Sequence, residues 1–121
     1  MRRRARGGGR FMALAALSAA VAIGCGAFAA HGASGRAAEW LETGAFYLLV
    51  HAVAAMTVAG TGEGRLARGP AALLLGGAIL FSGTLFLMAF GAPRMLGAIT
   101  PLGGAAMIGG WLWLALRSLR G

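Results

Sequence analysis

The sequence predicts an all-α polytopic membrane protein, a bundle of four transmembrane helices. Three observations carry this. Of 121 residues, 59% are hydrophobic and 22 are glycine, while only 12% are charged, about half the usual share for a soluble domain. The charges are segregated and leave four uncharged windows of membrane-crossing length. The basic residues gather at alternate ends of those windows. This composition excludes a soluble globular domain and a disordered tail, and the single cysteine excludes a disulfide scaffold.

Residues 1–10 form a basic tail with Arg2, Arg3, Arg4, Arg6 and Arg10. Residues 11–30 follow without a charge and give the first helix. Residues 43–62 give the second, with His51 as their one titratable side chain apart from Tyr47. Residues 70–92 give the third, started by Pro70 and ended by Pro93, since proline is tolerated in a first helical turn and cannot continue a helix. Residues 95–116 give the fourth, and 117–121 a short tail. A hydrocarbon core of about 30 Å needs about 20 helical residues, which every window supplies. Strands are excluded because the runs show no period-two alternation and are twice the length of a membrane strand.

Orientation follows from the arginines. The tail, the loop with Arg65 and Arg68, and the C-terminal Arg117 and Arg120 place nine on one side. The other side has Arg36 and Arg94, with Glu39 and Glu42. Basic loops stay in the cytoplasm, so both termini are expected there, as an even helix count requires. Trp40 marks the outer edge of helix 2 and Trp111 and Trp113 the inner end of helix 4, since indoles favour the headgroup boundary.

Three signals point elsewhere. The start imitates a secretory signal, with arginines, an apolar run and AFAA at 27–30, but a 20-residue run exceeds the usual core of such a signal. AIGC at 22–25 is a poor lipoprotein box, so Cys25 reads as a small buried helix residue. The RRRARGGGR tail reads as a topology determinant beside a span, with anionic lipid as the neighbour its charge suits. No nucleic-acid module is recognisable.

Apolar surface gives helices no drive to associate in lipid, so close contact between small residues must supply it. Small residues four apart offer Ala16, Ala20 and Gly24 on helix 1, and Ala72 and Gly76 on helix 3. Helix 4 offers Ala98, Ala106 and Gly110, with Ala105 and Gly109 beside them. Any surplus face would serve a homo-oligomer or another membrane protein.

The polar residues collect in the outer half. Thr43, Tyr47 and His51 form a stripe at four-residue spacing. At 1.5 Å per residue, Tyr47 lies roughly 6 Å and His51 roughly 12 Å inside the outer end. Ser82, Thr84 and Thr100 sit at comparable depth, and His31 and Glu42 lie at the outer loop. The candidate polar site is therefore His31, Glu42, Thr43, Tyr47, His51, Ser82 and Thr100. Intramembrane ionisable residues often mark proton or ligand paths, and imidazole is the side chain suited to carrying a proton in the physiological range, which offers His51 as the carrier, with Glu42 placed to feed it and Tyr47 to relay. The competing reading is that these groups satisfy one another as interhelical hydrogen bonds, with Thr100 helping to satisfy the carbonyl freed by Pro101. The set lacks metal-ligand spacing such as His-x-x-x-His, and shows no nucleophile–base pair, phosphate loop or haem-attachment motif. No metal, cofactor or catalysis is expected.

Four segments, GAFAAHG (26–32), ETGAFYLLVHAVA (42–54), FSGTLFLMAFG (81–91) and GAITPLGGAAMIGGW (97–111), resemble the signature segments of the transmembrane protein 256-like family, domain of unknown function 423. The resemblance covers residues 11 to 116 in order. It implies a small four-helix protein of the bacterial inner membrane, with eukaryotic relatives, a retained first helix and no assigned activity. Of the polar residues above, all seven fall within the matching segments, which assigns them no role. The expected function is a non-enzymatic accessory or structural membrane component. The alternative is a small transporter or proton-linked ligand-binding protein with an outward-facing site around His51, and an intramembrane enzyme is the weakest reading.

Overall fold

A computed structural model describes residues 2–60 and 65–120, and the side chains of 8–60 and 68–120. Four helices run in sequence: α1 (Arg2–His31), α2 (Gly35–Ala59), α3 (Arg65–Ala89) and α4 (Thr100–Arg120), with a short 3₁₀ helix at Arg94–Ala98 before α4. No strand occurs among the described residues. All four contain an apolar stretch long enough to cross a membrane. Their outward faces carry large apolar side chains such as Leu17, Phe46, Leu87 and Ile108, each more than half exposed. A contiguous apolar exterior on every helix is the surface that lipid covers and water does not.

Several boundaries differ from the uncharged windows, the helix starts above all, because charge does not end a helix. α1 begins nine residues before the expected 11, and α2 eight before the expected 43, because their first turns tolerate Arg2–Arg10 and Arg36, Glu39 and Glu42. The expected end of helix 2 at 61–62 lies outside the described residues. α3 starts at Arg65, so Pro70 sits a turn inside it and not at its start. α3 also ends at Ala89, before Pro93, because the chain turns at Gly91 with φ +106°, which glycine adopts freely. Pro93 instead precedes the 3₁₀ helix. The fourth window therefore holds two elements, and Pro101 falls in the first turn of α4, where its missing N–H breaks no helical bond. Gly35, at φ +61°, lets the chain turn from α1 into α2.

α3 is the central helix. It packs against α2 and α4 and lightly against α1, while α1 packs mainly on α2. No Cα atom of α4 comes within 8 Å of one in α1 or α2. The core lies along these contacts, with Leu41, Leu48, Ala78, Phe86 and Met107 in one cluster and Ala15, Ala52, Ala55 and Leu75 in another.

The small residues do mediate close packing, but partly on other faces than four-residue spacing selects. On α1 the buried face is Ala15, Ser18 and Ala22, with Gly26 against Ala45. Ala16, Ala20 and Gly24 are exposed. On α3, Ala72 and Gly76 are exposed, and Ala71, Gly77 and Ala78 face the interior. On α4, Gly103, Met107 and Gly110 are buried, Ala106 is half-buried and Ala105 is exposed; a β-carbon at Gly109 would meet open space, and Ala98, also exposed, belongs to the 3₁₀ helix and not to α4. Four residues turn a helix through about 400°, so a strict four-step stripe drifts roughly 40° per step. A contact face is held by alternating steps of three and four.

The α3–α4 contact is the tightest. A β-carbon at Gly77 would lie 2.8 Å from both the Gly103 carbonyl oxygen and the Met107 amide nitrogen. One at Gly103 would lie 2.7 Å from the Gly77 carbonyl oxygen and also collide with the Phe81 backbone. These two glycines allow the two backbones to meet.

Candidate functional site

His51 faces the bundle interior and is only 6% exposed. It lies eight residues before the end of α2, and Trp111 nine before the end of α4, so the two side chains share a level about 12–14 Å from the arginine-rich end. The Trp111 indole Nε1–H donates to His51 Nε2 at 3.0 Å. His51 Nδ1 donates to the Tyr47 carbonyl, one turn earlier, at 2.7 Å. A carbonyl only accepts and an indole N–H only donates, so both bonds form together in the neutral Nδ1–H tautomer alone. Tyr47 stacks over the imidazole, with ring centroids 6.1 Å apart, and meets Phe81 edge-on at 4.9 Å.

The other buried polar side chains make two further links. Ser82, fully buried on α3, donates to the Gly44 carbonyl of α2 at 2.8 Å. Gly44 permits this approach, because a β-carbon there would lie 2.6 Å from the Phe86 ring. Thr84 of α3 and Thr100 of α4 are hydroxyl partners at 2.6 Å. Thr84 donates to the Phe81 carbonyl at 2.9 Å, leaving its oxygen to accept from Thr100, whose contact with the Leu96 carbonyl is longer at 3.3 Å. α2, α3 and α4 are thus tied pairwise by Ser82–Gly44, Thr84–Thr100 and Trp111–His51. Among the described residues no buried side-chain nitrogen or oxygen lacks a partner. On α1, buried Ser18 turns back to its own Leu14 carbonyl at 2.8 Å, so α1 is held by apolar packing.

The seven residues of the expected site do not converge. Tyr47 and His51 meet, and Thr100 meets Thr84, but Ser82 bonds to backbone on the α2 side. His31, at the end of α1, is exposed, as are Glu42 and Thr43. No described hydrogen bond, ion pair or ring contact joins Glu42 to His51. The Thr43–Tyr47–His51 stripe rolls from the surface into the interior, the same four-step drift. Trp111 is the participant that sequence reasoning placed elsewhere, as a headgroup anchor. Counted from the expected ends at 62 and 116 the two residues differ in depth by six positions, and only the observed ends at Ala59 and Arg120 bring them to one level.

No group of three or more metal-ligating side chains occurs among the described residues. A groove between α1 and α3 over α2 is lined by apolar side chains including Leu17, Val21, Leu48, Ile79 and Phe86. Its one hydroxyl, Ser18, is spent on the Leu14 carbonyl. Cys25 is half-buried against the core.

Four membrane-length helices with apolar exteriors and internally paired polar groups define a polytopic membrane protein. Residues 25–104 match the family model described as protein of unknown function (DUF423). The chain is 37% identical over 117 residues to a UPF0382 membrane protein of Haemophilus influenzae, covering 92% of this chain and 94% of that one. It is 34% identical to the UPF0382 membrane protein YwdK of Bacillus subtilis, with 91% and 96% covered. It is 33% identical to a UPF0382 membrane protein of Schizosaccharomyces pombe, with 81% and 92% covered. No solved structure matches. This chain belongs to the DUF423 family of membrane proteins.

Proposed function

We propose that this protein is a non-enzymatic accessory or structural component of the membrane, whose internal polar residues hold helices together and carry no substrate or proton. The observation that carries this reading is the pairing of both His51 ring nitrogens, one with Trp111 and one with the Tyr47 carbonyl. A proton arriving at Nε2 would have to displace the indole, and Glu42, the residue placed to deliver it, is exposed and does not touch the ring. An accessory role implies a companion, either a second copy or another membrane protein, which crosslinking in native membranes would capture. The arginine asymmetry supports a plasma-membrane location with both termini in the cytoplasm.

The test is proton flux into vesicles containing the reconstituted full chain and a pH-sensitive dye. The expected result is flux equal to that of empty vesicles for wild type and His51→Ala alike, with a lower melting temperature for the variant. Flux above empty vesicles that disappears in His51→Ala would establish the transporter reading and overturn this one.

A further inference from the structure

Alternating helix directions bring the starts of α1 and α3 and the ends of α2 and α4 to one side of the bundle. By chain position, nine arginines and one glutamate fall at that side, and two arginines and two glutamates at the other. The chain's whole net charge of +8 therefore lies at one end. A bias of this kind orients a membrane protein. The depth at which these arginines lie gives them a second role.

Trp113 of α4 rests on Gly69, where a β-carbon would collide with the indole. Its ring thus covers the first turns of α3, beside Arg68, and is 45% exposed. Indoles settle at the headgroup boundary, so this ring marks that level. Arg117 lies one turn beyond Trp113 on the same face, and Arg68 precedes Gly69. α1 remains helical back to Arg2, while its apolar stretch begins at Gly8. The extra turns rise about 9 Å, enough to cross a headgroup layer of about 5–7 Å. The chain has no lysine, and its permanently cationic side chains are all arginine, whose planar fork pairs bidentately with phosphate oxygens.

We propose that this end of the bundle is a binding surface for anionic phospholipid headgroups, which it enriches in the surrounding lipid shell. The occupant follows from charge and depth: a singly charged phosphodiester is the anion present at the level of Trp113, and the sequence segments at this end sum to a net charge of +8.

The test uses the full chain in mixed phosphatidylcholine and phosphatidylglycerol bilayers. Spin-labelled versions of each lipid are compared by the motionally restricted fraction of their spectra. The expected result at low salt is a preference for phosphatidylglycerol of about threefold or more, falling towards parity near 1 M salt, where the screening length is about 3 Å. Combining Arg10→Gln, Arg68→Gln and Arg120→Gln should at least halve the preference, whereas Arg36→Gln with Arg94→Gln should leave it unchanged. Parity between the two lipids at low salt, or equal loss from both sets of variants, overturns the proposal. So does a preference removed by inorganic phosphate at matched ionic strength, which would assign the surface to free phosphate, or by single-stranded RNA, which would assign it to nucleic acid.

Discussion

Trp111 and His51 join two helices whose backbones stay apart. No Cα pair between α2 and α4 comes within 8 Å, yet the indole spans the gap to place its N–H 3.0 Å from the imidazole Nε2. With Ser82 on the Gly44 carbonyl and Thr84 on Thr100, this closes a triangle of polar ties around α2, α3 and α4. In lipid such ties act where apolar attraction between helices is absent. α1 stands outside the triangle and is attached through Ala15, Ala22 and Gly26.

The glycines divide sharply by what surrounds them. Gly103→Ala forces a methyl group onto the α3 backbone, and Gly77→Ala onto that of α4. Each should destabilise by about 1–3 kcal/mol, the usual range for overpacking a close contact. Gly24→Ala and Gly76→Ala meet open space, and should be neutral or stabilising by up to about 1 kcal/mol, because alanine restricts the unfolded chain. Chemical or thermal unfolding in detergent measures both, and equal effects from the two groups would refute the α3–α4 contact described.

The hydroxyl ties should be individually small. Thr100→Val keeps the shape of the side chain and removes the donor to Thr84, and Ser82→Ala removes the donor to Gly44. Interhelical hydrogen bonds in membranes average about 0.6 kcal/mol and reach about 1.7, so each change should lower stability within that range. Thr100→Ser should retain most of the tie. Unfolding curves superimposable with wild type for both Thr100→Val and Ser82→Ala would remove these residues from the structural account.

Orientation can be read separately from stability. A reporter fused after Gly121 should report the cytoplasmic side, as should one fused before Met1, because basic flanks of membrane spans resist translocation. A reporter between Gly32 and Gly35 should report the opposite side. The reverse pattern would contradict the reading of the arginines.

Much of the fold is legible in the sequence because lipid imposes a simple rule, that backbone polar groups pair within each span. Four uncharged windows thus become four spans, and the connections at Gly35 and Gly91 fall between them. The helix ends are less legible, since Arg36, Glu39 and Glu42 are compatible with helix at a membrane surface and a charge-free window omits them. The polar ties are half legible. The depth of His51, Ser82 and Thr100 marks them as interior groups, and hydrogen bonding between helices is the reading that the structure supports for these three. Their partners are hidden for particular reasons: Gly44 accepts through its backbone, which no side chain announces, and Trp111 has a residue type that also serves as a headgroup anchor. Glu42 and His31 appear beside the site in sequence but sit on exposed helix faces, a consequence of helical rotation that spacing alone does not resolve.

The central claim is that the intramembrane polar residues are ties between helices, and a double-mutant cycle between His51 and Trp111 tests it most directly. The variants are His51→Ala, Trp111→Phe and the pair, unfolded reversibly in detergent or bicelles. The account predicts that the single effects fail to add, with a coupling energy of about 0.6–1.7 kcal/mol, while His51→Ala and Glu42→Gln add independently. Additivity of His51→Ala and Trp111→Phe within about 0.3–0.5 kcal/mol, the margin for residues that do not interact, would contradict it.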